Sequence, residues 1–213
     1  QGNQLGDWSW ESALVVQGVY TLLDGVTNTL LRPNLREIVN HIREGTLDFV
    51  LMKPIDSQFW ISSRTISPAG LPEILLGFCL IFWAVNKAGI TFNLISIMCG
   101  MIMLIVAITI LYSLWFLVAA TSIWFVKTWN ATEVLRTVLS AGRFPVNAYP
   151  TTLRLIFTLV LPISFLTTFP AEMFLNQIQI KIMCLGIFFA ILFYNASRYF
   201  WKFALQHYTS ASS

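Results

Sequence analysis

The residues able to do chemistry are few and poorly arranged for it. The chain of 213 residues has two histidines, three cysteines and ten carboxylates. His41 and His207 are far apart, and neither sits in a His-Glu-x-x-His pattern. Cys79, Cys99 and Cys184 fall inside apolar runs without a C-x-x-C spacing, so they read as small core residues rather than metal ligands or a disulfide framework. A phosphate-cradling G-x-x-x-x-G-K-S/T loop is missing from the sequence. We therefore expect no catalytic, cofactor-binding or metal residue on this chain. What remains are carboxylates in apolar surroundings, where burial of charge is costly and a polar task is the usual reason for it. Asp24 is the foremost, and it has two readings: it lines a polar passage or pairs across a chain interface, or it reaches to the membrane surface beside Arg32. Glu73 and Glu172 stand near span ends and read as interfacial.

These residues must be held by elements built for lipid. The sequence is 56% hydrophobic and only 11% charged, against roughly 25% charged in an ordinary soluble domain. Apolar length gives five candidate spans near 10–31, 67–86, 92–118, 155–173 and 180–200. Helices satisfy every backbone group within one segment, so the fold class is all-α, a polytopic transmembrane helical bundle forming a single domain over 1–213. Phe92–Phe125 would be about 50 Å long as one helix, more than a bilayer core needs, so it must tilt, break or project. Gly70, Gly77 and Gly100 are available for close helix contact.

Orientation follows from the basic residues, which favour short cytoplasmic connections. With residues 1–9 outside, eleven of the thirteen Lys and Arg fall inside, leaving only Lys87 and Lys181 outside. The C-terminus is then cytoplasmic. The net charge of +3 is scattered between spans, which argues against nucleic acid as a partner.

Residues 32–66, between the first two spans, carry the clearest pattern. Leu35, Ile38, Val39 and Ile42 form an i, i+3, i+4, i+7 stripe opposite Arg36, Glu37, Asn40 and Arg43. Asn34 and Glu37 have the spacing of a capping box, and Gly45 stands where a helix would end. The expected element is a short cytoplasmic amphipathic helix. An interfacial helix on lipid would carry more basic charge, and Glu37, Glu44, Asp48 and Asp56 oppose anionic lipid, so a protein partner suits the surface better.

The stretch Glu44-Gly45-Thr46-Leu47-Asp48-Phe49, continuing into Lys53-Pro54-Ile55-Asp56-Ser57-Gln58-Phe59, resembles the signature of a subgroup of ABC-2 family permeases. The resemblance extends through Gly142-Arg143-Phe144-Pro145 with Tyr149-Pro150, Leu161-Pro162 with Thr168-Phe169-Pro170-Ala171, and Tyr208-Thr209-Ser210-Ala211-Ser212-Ser213. It implies a transmembrane permease subunit of an ATP-driven exporter in the plasma (inner) membrane. Such a permease has six spans, of which the first would precede Gln1, and it pairs with a second permease chain. ATP and Mg would be bound by a separate cytoplasmic ABC ATPase, with membrane lipid as the remaining partner. On the same resemblance 32–66 is the coupling segment. Its docking residues would be Leu35, Ile38, Val39, Ile42, Glu44, Gly45, Leu47, Asp48, Lys53, Pro54, Asp56 and Gln58, with Asp24 on a translocation path.

Related permeases make residues 130–146 a span and 150–176 a re-entrant region. Placing Arg136 and Glu133 in lipid would cost roughly 2.5–3.5 kcal/mol each, so a cytoplasmic 127–154 is expected here. An ion-coupled secondary transporter using Asp24 would need broken helices in duplicated halves, and no internal repeat is visible. A membrane enzyme acting on lipid would need clustered His, Asp or Ser chemistry.

Overall fold

The computed structural model describes residues 4–5, 8–91, 93–125 and 129–208, with side chains for 8–91, 93–125 and 134–208. Phe92, Lys127, the side chains of Trp129 and Glu133, and the Thr209–Ser213 end of the last motif lie outside the described residues. The described chain is almost wholly helical. A two-residue pairing of Gln4–Leu5 with Trp8–Ser9 precedes the first helix.

Helix α1 (Trp10–Val26) is capped by Ser9, whose side chain accepts from the Ser12 amide. It runs without a stop through a π-turn at Thr27–Leu31 into α2 (Arg32–Arg43). This corrects the expectation of a separate helix opened by Asn34, which makes no capping bond. Gly45 does end α2 as the sequence suggests: its φ is +67°, and the Thr46 amide reaches back to the His41 carbonyl at 2.9 Å. Only glycine enters that left-handed region without strain. Two short helices, α3 (Leu47–Leu51) and α4 (Ser57–Ser63), complete the connection.

Among the described residues, three helices are long and apolar enough to cross a membrane: Pro68–Lys87, Leu94–Ile123 and Ile180–Gln206. Their α-helical parts are α5 (Leu71–Lys87), α6 (Leu94–Ala120) and α11 (Ile180–Gln206). The overlong apolar stretch breaks after Ala120. There Thr121 Oγ1 and Ser122 Oγ donate to the Val118 and Ala119 carbonyls, each at 2.6 Å, and a 3-10 turn follows. The α6 and α11 surfaces away from the bundle expose Leu94, Ile105, Phe188 and Ile191, a lipid-facing pattern. Cys79 and Cys184 lie on such exposed faces and Cys99 is half-buried, so the cysteines are not core residues as expected.

Helices α1 and α5 meet backbone to backbone. A Cβ on Gly25 would lie 2.6 Å from the Ile74 amide, and one on Gly77 equally close to that of Leu22. Gly18 and Gly25 face Gly77 and Gly70, seven residues apart on each helix, so the same seam recurs every two turns.

Between α6 and α11 the chain departs from the expected topology. Helix α7 (Trp129–Leu139) and a 3-10 turn at Ser140–Arg143 lead to α8 (Thr151–Leu155), a π-turn, α9 (Ile163–Leu166) and α10 (Thr168–Phe174). The span expected over 155–173 is not straight. Thr151–Val160 and Ile163–Phe174 meet at 69°, as a broken span or a re-entrant loop does. Pro162 explains the break, since it has no amide hydrogen and disfavours helical backbone at Leu161, which is extended. The segment 140–143 also packs on the bundle. The Arg143 guanidinium lies 5.1 Å from the centre of the Tyr20 ring, half-way along α1, and Gly142 abuts Ile163 and Thr167. At eleven residues, about 17 Å, α7 is also too short to cross a bilayer alone.

Candidate functional site

The 32–66 connection is clamped at its base. Asn34, 1% exposed, donates through Nδ2 to the Leu30 carbonyl at 2.6 Å and to the Thr65 carbonyl at 2.7 Å, while its Oδ1 accepts from the Thr65 amide at 2.7 Å. The Ser67 amide donates to the Thr29 carbonyl at 2.9 Å. One amide side chain thus holds the outgoing and returning strands together.

The far end is bolted to other helices by three consecutive residues, Asp56, Ser57 and Gln58, with Ser62 one turn further on. Asp56 caps α4 by accepting from the Phe59 amide at 2.9 Å, and it pairs with Arg198 of α11 through two contacts of 2.8 Å. Partial burial alone would raise the Asp56 carboxyl, but the Arg198 hydrogen bond and the Phe59 amide outweigh it and hold the group below the usual carboxylate range. Ser57 Oγ accepts from Trp201 Nε1 at 3.0 Å. Gln58, buried, donates to the Tyr112 hydroxyl of α6 at 3.1 Å and to Ser197 Oγ of α11 at 3.4 Å. Ser62 adds a 2.8 Å contact to the Tyr112 hydroxyl.

The docking residues expected from the sequence divide into two groups. Leu35, Ile38, Leu47 and Gln58 are buried inside the chain, with Ile38 and Leu47 wholly covered. They hold the connection together and present no surface, and α2 packs against α4 and α6. Val39, Ile42, Gly45 and Asp48 are half-buried; Glu44, Lys53, Pro54 and Asp56 are exposed. Lys53 Nζ stands 3.8 Å above the Trp60 ring. The sequence reading missed the apolar tip beside them: Phe49 is 65% exposed, Met52 71%, Ile55 48% and Phe59 64%. A signal was present, because Phe49-Val50-Leu51-Met52 in a helix of one turn cannot all face inward at 100° per residue, and only Val50 does.

Asp24 is half-buried on α1 and lines a cavity of about 30 Å³ with Tyr20, Thr27, Trp115, Arg136 and Thr167. Arg136, Arg143 and Arg32 attract its charge and Glu73 opposes it. The arginine that seemed too costly to bury therefore has a carboxylate across the cavity. Glu73 accepts from Asn28 Nδ2 at 2.7 Å. Glu172 is buried within α10 at 8% exposure. His41 Nδ1 meets Thr46 Oγ1 at 2.7 Å in the α2–α3 turn, and His207 Nδ1 meets the Phe203 carbonyl at 3.0 Å.

A family model described as ABC-2 family transporter protein matches residues 1–212. Neither the curated proteins nor the solved structures offer a match.

Proposed function

The chain belongs to the ABC-2 family of transporters, and from that membership we propose that it is the permease of an exporter driven by ATP hydrolysis on a separate chain. In this reading the 32–66 connection faces the cytoplasm at the plasma (inner) membrane, together with the C-terminus. The ATPase holds ATP and Mg and seats on the tip formed by Phe49, Met52, Lys53, Pro54 and Ile55, with Glu44 and Asp48 at its border. A second permease chain, identical or related, completes the transporter.

One observation carries the reading: the same short segment is apolar and exposed at its tip, tied to α6 and α11 beside that tip, and clamped to the end of α1 at its base. Exposed apolar side chains rimmed by Glu44, Lys53 and Asp56 are the usual composition of a protein contact. A push on that tip reaches α6 through Tyr112, α11 through Ser197, Arg198 and Trp201, and α1 through Asn34. The work comes from the ATPase binding two conformations of the tip unequally, since a partner with equal affinity for both shifts nothing. Asp24 and Arg136 supply the polar lining such motion would expose, and we place them on the translocation path.

The test is co-purification of the full chain with its ATPase. Met52→Asp and Phe49→Asp should each remove most of the bound ATPase and the ATP-dependent transport while leaving thermal unfolding unchanged, because both side chains are exposed. Transport that continues without any ATPase would overturn the proposal.

A further inference from the structure

A groove of about 390 Å³ opens on the exposed faces of α6 and α11, within the roughly 300–1,000 Å³ of small-ligand sites. The two helices run parallel: Ser96 of α6 meets Asn176 just before α11, the Tyr112 and Tyr194 rings lie 6.4 Å apart, and Phe116 meets Trp201 at 5.4 Å. One half of the groove is apolar. Val106 and Ala190, 6% and 7% exposed, make its floor, and Ile105, Ile187 and Ile191 stand exposed along its rims. The other half is lined by Thr109, Tyr194 and Asn195. Thr109 and Asn195 each lie about 22 Å along their helices from Leu94 and Ile180, still inside a hydrocarbon core of about 30 Å. Lys202, exposed, comes about 33 Å along α11, where such a core ends. Arg198 is matched by Asp56, so the group of Asp56, Arg198 and Lys202 carries a net positive charge.

An exposed asparagine at that depth calls for a hydrogen-bonding neighbour, because lipid tails offer none. Thr109 Oγ1 donates to the Ile105 carbonyl at 2.9 Å and Asn195 Nδ2 to the Ile191 carbonyl at 2.8 Å. Asn195 still has a second amide hydrogen and its oxygen to offer. Contacts with another transmembrane helix are built on small residues that let backbones approach, whereas the rims here are isoleucines. A flexible chain fits between them. We infer that the groove binds a membrane phospholipid, with one acyl chain over Val106 and Ala190, its ester and glycerol oxygens at Tyr194 and Asn195, and its phosphate toward Lys202. The order apolar, polar, cationic along α11 is the order tail, ester, headgroup along the lipid. Tyr194 lies against Tyr112, whose hydroxyl meets Gln58 and Ser62, so the occupant braces the junction of α4 with α6 and α11. The inference rests on α6 and α11 lying in a bilayer and not on ATPase docking.

The test uses the purified full chain in neutral detergent, offered micelles with equal parts of phosphatidylglycerol and phosphatidylcholine. Native mass spectrometry then counts each lipid retained. The native chain should retain a single phospholipid and favour phosphatidylglycerol roughly fivefold, the usual strength of one basic residue near an anionic surface. Lys202→Gln should keep the lipid and lose the preference; a native chain without preference would overturn the placing of the phosphate. Asn195→Ala with Tyr194→Phe, both exposed, should lose most of the bound lipid. Ala190→Leu, which raises the floor, should do the same, and the exposed pair decides the matter if that variant does not fold. Leu192→Ala, exposed on the same helix but outside the groove, should match the native chain. Unchanged retention in the folded Asn195 and Tyr194 double variant would overturn the site, and so would equal loss in Leu192→Ala, which would mean a shell of annular lipid only. A photo-reactive amino acid in place of Ile191 should label lipid when illuminated in membranes. A labelled protein instead, a second copy included, would overturn the lipid in favour of a helix.

Discussion

At the residue scale, two side chains fix the 32–66 connection by different physics, and their removal should differ accordingly. Asn34 is buried and makes three hydrogen bonds, so Asn34→Ala should lower stability by about 1–3 kcal/mol, read as earlier thermal unfolding of the purified chain. Asp56 and Arg198 form a two-contact pair, but their side chains are 42% and 31% exposed, and solvent screening leaves less than about 1 kcal/mol. Because the folded Asp56 carboxyl titrates below its ordinary value, the contribution is present above an unfolded pKa of about 4 and is lost as pH falls through the lower folded value. A pH series of unfolding temperatures should therefore show Asp56→Asn less stable than the native chain above about pH 4, with the two converging in acid. Equal separation of the two curves at every pH would show that the pair does not act electrostatically.

Among elements, the α1–α5 seam is where a single methyl group matters. Gly77→Ala would press a Cβ to 2.6 Å from the Leu22 amide, and it should destabilise by about 1–3 kcal/mol or prevent folding. Gly89→Ala meets nothing within 4 Å and has only the cost of a φ of +72°, about 1 kcal/mol. Side-by-side expression and thermal unfolding separate the two; equal effects would mean that the seam is not the tight contact described. The seam was legible only as available glycines, because helix facing depends on which helices become neighbours. Helix existence was far more legible: the ranges read from apolar length near 67–86, 92–118 and 180–200 match the three membrane-length helices to within a few residues at most ends. The bend at Leu161–Pro162 escaped a reading by hydropathy because both arms are apolar, although the proline itself marked the place. Helix α7 escaped for an electrostatic reason. A lone Arg136 in lipid is expensive, but Asp24, more than a hundred residues earlier, shares its cavity.

For the whole molecule, the family and the helical membrane architecture were readable from motifs in sequence order, while the direction of the amphipathic stripe was not. Periodicity identifies a face that will be covered without naming the cover, and here Leu35 and Ile38 are covered by the chain itself. The exposed apolar surface is one that periodicity does not mark: Phe49, Leu51, Met52 and Ile55. A variant such as Leu35→Asp would therefore break the fold before it reported on docking, and the exposed tip is the place to intervene.

The most direct measurement is a photo-reactive amino acid placed at position 52 of the full chain, illuminated in membranes that contain its ATPase. The account predicts a covalent product joining this chain to the ATPase, with none from a probe at Ile38, which has no exposed surface. An active complex in which positions 49, 52 and 55 all fail to cross-link, while another part of the chain does, would contradict it.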